Sequence, residues 1–231
     1  KTTMELSDNL LGGRRGSSVA GVVINIILAL VLLALVAVLI VTSSFSLCRI
    51  SGDSMESTLH DGQYVLVGKG GETLSRGDVL VFSMEENGKT TQLIKRVIAT
   101  AGDTVRFERT DGLVNAQISD GGSVMTHVVE LYVNDEPLDE PYIREPMHEF
   151  YWDRLGGLLQ IQLGIEYTVP DGTVFALGDN RNDSMDSRYE SVGFVPLTDV
   201  VGRVDCVLEP GGFLEWLVTL IYGVPFRPET A

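Results

Sequence analysis

An unbroken apolar run from Ala20 to Val41 constrains this chain more than any other feature of its sequence. A helix of about 20 apolar residues spans the hydrocarbon core of a bilayer, and Asn25 is the only strongly polar residue in the run. A cleaved export signal has a shorter apolar region, followed by small residues at a cut site. The run is too long for such a signal, so we predict a retained transmembrane anchor at residues 20–41.

The charges beside this run predict its orientation. Arg14 and Arg15 precede it, whereas only Arg49 lies close on the other side. Positive residues near a membrane span tend to remain cytoplasmic. We therefore expect a cytoplasmic segment at residues 1–19 and an extracytoplasmic domain at residues 42–231, in a single-pass protein of the cell membrane.

The chain beyond the anchor is strongly acidic. The net charge is -15, and residues 42–231 hold 14 of the 17 basic and 30 of the 32 acidic side chains. Such a surface repels phosphate backbones, which argues against a nucleic-acid partner. Cys48 and Cys206 form no metal-ligand pattern. The sequence leaves open whether these two cysteines form a disulfide.

Short runs rich in Val, Ile, Phe and Tyr alternate with Gly and Asp turns after the anchor, as in QYVLVGK, RGDVLVFSM and DVVGRVDCVL. This alternation is typical of many short antiparallel strands. We therefore predict a mainly β, antiparallel, barrel-like domain. The sequence of the segment at about 106–170 is polar and less regular, and we interpret the segment as an insertion or small subdomain between two halves of the core.

A second apolar stretch runs from Phe213 to Phe226. It is too short to span a bilayer, and Glu215 interrupts it. Trp216 and Tyr222 suit a location in the membrane interface. An equal alternative is that this stretch packs against the domain as a core or docking element.

Four segments carry residues that suggest chemistry, namely SGDSMESTL at 51–59, RGDVLVF at 76–82, IKRVI at 94–98 and GDNRNDSMDSR at 178–188. Each is unremarkable by itself, because Gly-Asp pairs form turns and a lysine in a strand usually keeps its head group in water. Together, in this order behind one apolar run, they resemble the type I signal peptidases. The first segment resembles the Gram-positive form, with Gly52 two residues before Ser54.

The resemblance implies that Ser54 is the nucleophile and Lys95 its general base. A serine hydroxyl needs a base to remove its proton, and a lysine can serve when burial destabilises its ammonium form. The neighbours of Lys95 are apolar and can supply that burial, namely Leu93, Ile94, Val97 and Ile98. Arg96 is expected on the opposite face of the strand.

The resemblance also assigns supporting roles. Ser184 would hydrogen-bond to the Lys95 amine and orient it, and Asp186 and Arg188 would pair as structural support. Further residues would shape the adjacent loop or form shallow apolar pockets for small side chains; they are Asp179 and Asn180 for the loop, and Met55 and Ile94 for the pockets.

The resemblance implies a serine endopeptidase that cleaves signal peptides from secretory pre-proteins after an Ala-x-Ala-like stretch. The reaction would pass through an acyl-enzyme and use no metal ion and no cofactor. The partners would be signal peptides and membrane lipid, with the secretion machinery as a further candidate. The fold would be the mostly antiparallel β-domain of that family.

The chain departs from the family pattern at Ser57 and at Ala99-Thr100-Ala101, where the family usually has Gly-Leu-Pro, and Gly52 affects the proposed oxyanion hole. Relatives with a serine at the position of Gly52 use its hydroxyl in the oxyanion hole, so the hole here would rely more on the Ser54 N–H. Ser57 stands where the family usually has proline. Proline fixes φ near -65°, and we expect Ser57→Pro to be tolerated if the local backbone already suits it.

Two other function classes compete with this interpretation. A self-cleaving repressor uses the same Ser–Lys dyad, but the anchor and the acidic charge argue against a DNA-binding protein. A binding module that keeps the fold without catalysis is disfavoured because Ser54, Lys95 and Ser184 are all present.

Overall fold

The computed structural model describes residues 19–70, 73–86, 88–117, 121–151, 160–209 and 211–223. The chain separates into two compact units, with the division between Val41 and Thr42. Arg14 and Arg15, on which the predicted orientation depends, lie outside the described residues.

A single long helix, α1 (Val19–Ser44), contains the apolar run. It includes an 18-residue window with a mean hydropathy of 3.3. Its 26 residues correspond to about 39 Å at 1.5 Å per residue. By length and composition, α1 is therefore able to cross a membrane.

Eleven strands follow within the described residues, namely β1 (Phe45–Arg49), β2 (Tyr64–Gly68), β3 (Val79–Glu86), β4 (Lys89–Thr100), β5 (Thr104–Gln117), β6 (Ser123–Val133), β7 (Glu136–Pro137), β8 (Glu166–Thr168), β9 (Thr173–Leu177), β10 (Val195–Pro196) and β11 (Val200–Leu208). The described strands form a seven-stranded sheet in the order β1-β2-β11-β3-β4-β9-β10 and a four-stranded sheet in the order β7-β6-β5-β8. Their pairings are antiparallel, so the prediction of a mainly β, antiparallel fold is confirmed.

Strand β4 occupies the interior of the larger sheet and carries Lys95. Its neighbours are β3, where Leu80 lies opposite Lys95, and β9, where Leu177 lies opposite Arg96. Val97 and Ile98, which follow on β4, are fully buried. Lys95 therefore lies on a strand with a neighbouring strand on each side, and the Ile and Val residues of IKRVI are typical of such a buried strand.

The smaller sheet is built from residues 104–168, between two strands of the larger sheet that pair with each other, β4 and β9. Within this stretch β5 and β6 form a long, regular ladder, although its sequence is polar. Their outer halves are largely exposed, which explains the polar sequence. Phe107 of β5 packs near Phe175 of β9, with ring centroids 6.2 Å apart, so the two sheets share a core.

Strand order separates the two cysteines. Cys48 lies opposite Val65 of β2, and Cys206 lies opposite Leu66 from the other side of the same strand. Successive residues of a strand point to opposite faces, so the two thiols lie on opposite faces of the sheet with β2 between them. Both cysteines are free, and the disulfide left open by the sequence does not form.

The C-terminal apolar stretch forms a short helix, α2 (Phe213–Tyr222). It ends at Gly223, whose φ of 68° is the left-handed conformation common at helix C-termini. Residues 224–226 of the stretch lie outside the described residues.

Candidate active site

Lys95 and Ser54 meet although 41 positions separate them in the chain. Lys95 Nζ donates a hydrogen bond of 2.8 Å to Ser54 Oγ and another of 2.9 Å to the Ile94 carbonyl. The Lys95 side chain reaches this point from the interior of the sheet, and the residue is only 2% exposed. The pair therefore has the contact that proton transfer between hydroxyl and amine requires.

Burial changes the acidity of the Lys95 amine. Removal from water lowers the pKa of Lys95 from 10.5 to about 8. Asp186 and Asp179 act in the opposite direction and Arg188 assists, but the loss of hydration dominates. The shift corresponds to about 3 kcal/mol in favour of the neutral amine.

The loop that carries Ser54 is held by Asn180. The backbone N–H of Asn180 donates to the Ser54 carbonyl at 3.1 Å, and its side-chain amide donates to the Asp53 carbonyl at 3.1 Å. Gly178 allows this close approach, since a Cβ there would lie 2.4 Å from the Ser54 carbonyl oxygen and 2.2 Å from Ser184 Oγ. Any other residue at position 178 would push the two loops apart.

Asp179 fixes the same two loops to β4. Arg96 binds its carboxylate through two hydrogen bonds, from Nε at 2.8 Å and Nη2 at 2.6 Å. Thr58, at the other end of the Ser54 loop, donates its hydroxyl to the same carboxylate. The Asp179 side chain is fully buried, so the paired guanidinium is what makes its charge tolerable there.

Asp186 and Arg188 pair as the resemblance implies. Arg188 donates to the Asp186 carboxylate from Nε and Nη2, both at 2.8 Å, and both side chains are fully buried. Burial by itself would raise the pKa of Asp186, but Arg188 more than offsets this and holds that pKa below its usual range. The Gly178 N–H also donates to Asp186 at 3.1 Å, which fastens the start of the fourth segment.

The expected hydrogen bond from Ser184 to Lys95 is not present. Ser184 Oγ is buried and has no hydrogen-bond partner among the described residues. It lies beside Gly178, while the Lys95 amine is directed to Ser54 and to the Ile94 carbonyl. In this structure the Ile94 carbonyl, rather than the Ser184 hydroxyl, orients the amine.

The two residues predicted for the substrate pockets differ in position. A small cavity of about 120 Å³ lies beside Ser54, and Ile94, Val81 and Ile50 are among its lining residues. Met55 is 1% exposed and belongs to the core cluster with Leu59. Met55 therefore supports the loop from beneath, and the prediction that it forms a pocket wall is wrong for this structure.

Sequence reasoning missed a group of polar residues around the site. The Arg96 guanidinium lies over the ring of Tyr142, 4.1 Å from its centroid, and Arg181 forms a two-pronged ion pair with Glu140. These contacts join residues 140–142 to the loops beside Ser54. The sequence offered one signal for these contacts, which is charge complementarity. Arg96, next to Lys95, is positively charged, and Asp179 in the fourth segment is negatively charged.

Comparison with known proteins identifies the family of this chain. Residues 23–209 match the family model described as signal peptidase, peptidase S26. The chain belongs to this signal peptidase family. It is accordingly an enzyme that removes signal peptides. No group of three or more His, Cys, Asp or Glu side chains within the described ranges is placed to hold a metal ion.

The relatives give the extent of the similarity. Signal peptidase I T of Bacillus subtilis is 34% identical over 188 residues, which cover 79% of this chain and 83% of that protein. Signal peptidase I of Bacillus caldolyticus is 33% identical over 165 residues, covering 70% of this chain and 78% of its own. A crystal structure of a signal peptidase I from Enterococcus faecalis is 25% identical and covers 58% of this chain and 97% of that one, with a TM-score of 0.32.

The Ser54 loop has a conformation of its own at the position where the family usually has proline. Ser57 has a φ of 79°, in the left-handed region that proline is unable to adopt. Its hydroxyl also donates a hydrogen bond of 2.6 Å to the Tyr142 carbonyl. The expectation that proline is tolerated here is therefore wrong for this backbone.

We predict that Ser57→Pro destabilises the signal peptidase by more than about 1 kcal/mol, because the ring forces a φ of opposite sign. Ser57→Gly is the matched control, since glycine adopts positive φ freely, and it should stay within about 1 kcal/mol of wild type after losing one hydrogen bond. Thermal unfolding in detergent measures both. A Ser57→Pro protein that melts at or above wild type would show that the loop adopts the family conformation.

Proposed function

We propose that this signal peptidase cleaves pre-proteins with Ser54 as nucleophile and Lys95 as general base, through an acyl-enzyme. The observation that supports the proposal most strongly is the 2.8 Å contact between Lys95 Nζ and Ser54 Oγ at a buried amine. A neutral amine has one lone pair and two N–H groups. One N–H satisfies the Ile94 carbonyl, which leaves the lone pair free to accept the Ser54 proton.

The catalytic cycle then follows from these groups. Lys95 takes the proton of Ser54 as Oγ attacks the scissile carbonyl carbon, and the Ser54 N–H donates to the oxyanion. The Lys95 ammonium gives its proton to the departing amine, and the peptide C–N bond breaks. Lys95 next takes a proton from a water molecule, whose oxygen attacks the acyl carbon. The ester bond to Ser54 breaks, the Lys95 ammonium returns its proton to Ser54 Oγ, and the signal peptide leaves with a free carboxylate.

Supporting roles follow for the residues around the dyad. Asn180 and Asp179 hold the Ser54 loop, while the Asp186–Arg188 pair keeps the fourth segment in place, and its two charges act on the Lys95 pKa in opposite directions. Ser184 is proposed as a support of Gly178 and the Ser54 loop. The cavity beside Ser54 is lined by apolar side chains such as Ile94 together with polar ones such as Gln92, and its volume of about 120 Å³ favours short side chains in the substrate.

The position of the site along the chain suits a substrate presented at a membrane. Phe45 follows α1, and two residues near the end of β1, Cys48 and Arg49, line the cavity beside Ser54. The strand from Phe45 to Arg49 corresponds to about 13 Å of extended chain. With α1 as the anchor, the dyad would stay close to the bilayer, where a translocated pre-protein presents its signal peptide.

We predict that Ser54→Ala lowers the cleavage rate of a model pre-protein by more than about a thousandfold, because the variant lacks the hydroxyl that contacts the Lys95 amine. Lys95→Arg should lose at least about a hundredfold, since a guanidinium stays protonated. Lys89→Arg, at the exposed start of the same strand, is the matched control and should retain wild-type activity. The assay uses the full chain in detergent.

The outcomes separate the competing functions. Cleavage by a folded Ser54→Ala or Lys95→Arg variant would remove that residue from its role. Wild-type protein that binds the signal peptide without cutting it would be a binding module. A chain that cuts only itself would support the self-cleaving alternative.

Topology gives an independent prediction. With Arg14 and Arg15 cytoplasmic, residues 42–231 lie outside, and they are proposed to act on pre-proteins delivered by the secretion machinery. Protease added to spheroplasts should therefore digest the domain while a cytoplasmic marker protein stays intact. Digestion that requires membrane rupture would reverse the orientation.

A further inference from the structure

Helix α2 turns an apolar face outward. Phe213, Trp216 and Leu220 recur at the spacing of one helix face, and they are 74%, 46% and 63% exposed. The rings of Phe213 and Trp216 contact each other, with centroids 5.7 Å apart. A helix on a water-facing surface shows the opposite arrangement, with its apolar stripe toward the protein.

The polar residues of α2 point inward instead. Glu215 is 6% exposed, and its carboxylate accepts a hydrogen bond of 2.7 Å from the Gly211 N–H. Thr219 is 1% exposed, and its hydroxyl donates to the Glu215 carbonyl at 2.8 Å. Glu215 is the only charged residue in the helix sequence, so the outward face of α2 carries no charge.

One hydrogen bond ties α2 to the point where the chain leaves the anchor. The Tyr222 hydroxyl donates to the Phe45 carbonyl at 2.8 Å, and Phe45 directly follows the last residue of α1. Lys69 adds a cation nearby, because its Nζ donates to the Thr42 carbonyl in the last turn of α1 at 3.1 Å. The C-terminal end of α2 therefore lies beside the residue that emerges from the proposed membrane span.

We propose that Phe213, Trp216 and Leu220 form a second membrane contact, inserted in the interface of the bilayer that α1 spans. This inference rests on α1 being the anchor. A lipid surface fits an uncharged face next to the end of a span, since Trp and Phe favour the headgroup level. The catalytic domain would then be held at both ends of its sequence, by α1 before residue 45 and by α2, which ends at residue 222. These two contacts would limit how the domain tilts on the membrane.

The test uses Trp216 as a reporter in the full chain, with the only other tryptophan changed by Trp152→Phe. The protein is reconstituted into phosphatidylcholine vesicles, with and without bromine near the top of the acyl chains. We expect brominated lipid to quench Trp216 strongly and aqueous acrylamide to quench it weakly. The matched reporter is Leu113→Trp on β5, 56% exposed, in a chain with both native tryptophans changed to phenylalanine; it should respond to acrylamide and not to bromine.

The outcomes are distinct. Trp216 that responds to acrylamide and not to brominated lipid, in protein that floats with the vesicles and cleaves its substrate, would overturn this inference alone. Shielding from both quenchers that disappears at low protein-to-lipid ratio would assign the face to a second copy, and also overturn it. Protein that does not float would overturn the anchor and this inference together, while cleavage of a pre-protein in detergent tests the catalytic proposal separately.

Discussion

The removal of the Lys95 amine from water is the constraint on which the proposed chemistry depends. An amine at its ordinary pKa holds its proton at neutral pH and is unable to accept another. With a pKa of about 8, about a tenth of the Lys95 amines are neutral at pH 7 and half at pH 8. The larger sheet supplies this burial because β4 lies inside it, between β3 and β9.

The remaining contacts serve to keep Ser54 against that amine. Asn180 binds the loop backbone on either side of the nucleophile, and Gly178 permits the approach. Asp179 and Arg96 connect this assembly to the strand that carries Lys95. Loss of one partner from a buried ion pair costs about 3–5 kcal/mol of stability. The paired charges of Asp179 and Arg96 therefore hold the loops in place. Accurate placement is what they contribute to rate, because a displacement of about 1 Å costs roughly a hundredfold.

The sequence predicts the large features well for physical reasons. The apolar run is long enough to predict α1, and the alternation of Val, Ile and Phe with Gly-Asp turns predicts antiparallel strands. Four short segments, each unremarkable by itself, indicate Ser54 and Lys95 through their joint resemblance to the type I signal peptidases. The pairing of Asp186 with Arg188 is implied by the same resemblance, and their opposite charges two positions apart are compatible with it.

Other features depend on three-dimensional contacts that the sequence does not encode locally. The left-handed φ of Ser57 occurs together with a hydrogen bond to the Tyr142 carbonyl, 85 positions away in the chain. Met55 is apolar, and only the packing around Leu59 places it in the core rather than on a pocket wall. The Ser184 hydroxyl lies against Gly178 and not against the Lys95 amine. The separation of Cys48 from Cys206 is known only once the order of the strands is known.

The most direct test of the central claim is the protonation state of Lys95 itself. The chain has four lysines, at positions 1, 69, 89 and 95, so the 13Cε signals of labelled lysine can be resolved in micelles and the Lys95 signal assigned by its loss in Lys95→Arg. Titration should give Lys95 a pKa of about 8, with the cleavage rate rising through the same pH range. A pKa near the ordinary 10.5 would contradict the account, because the amine would then be protonated wherever the enzyme works.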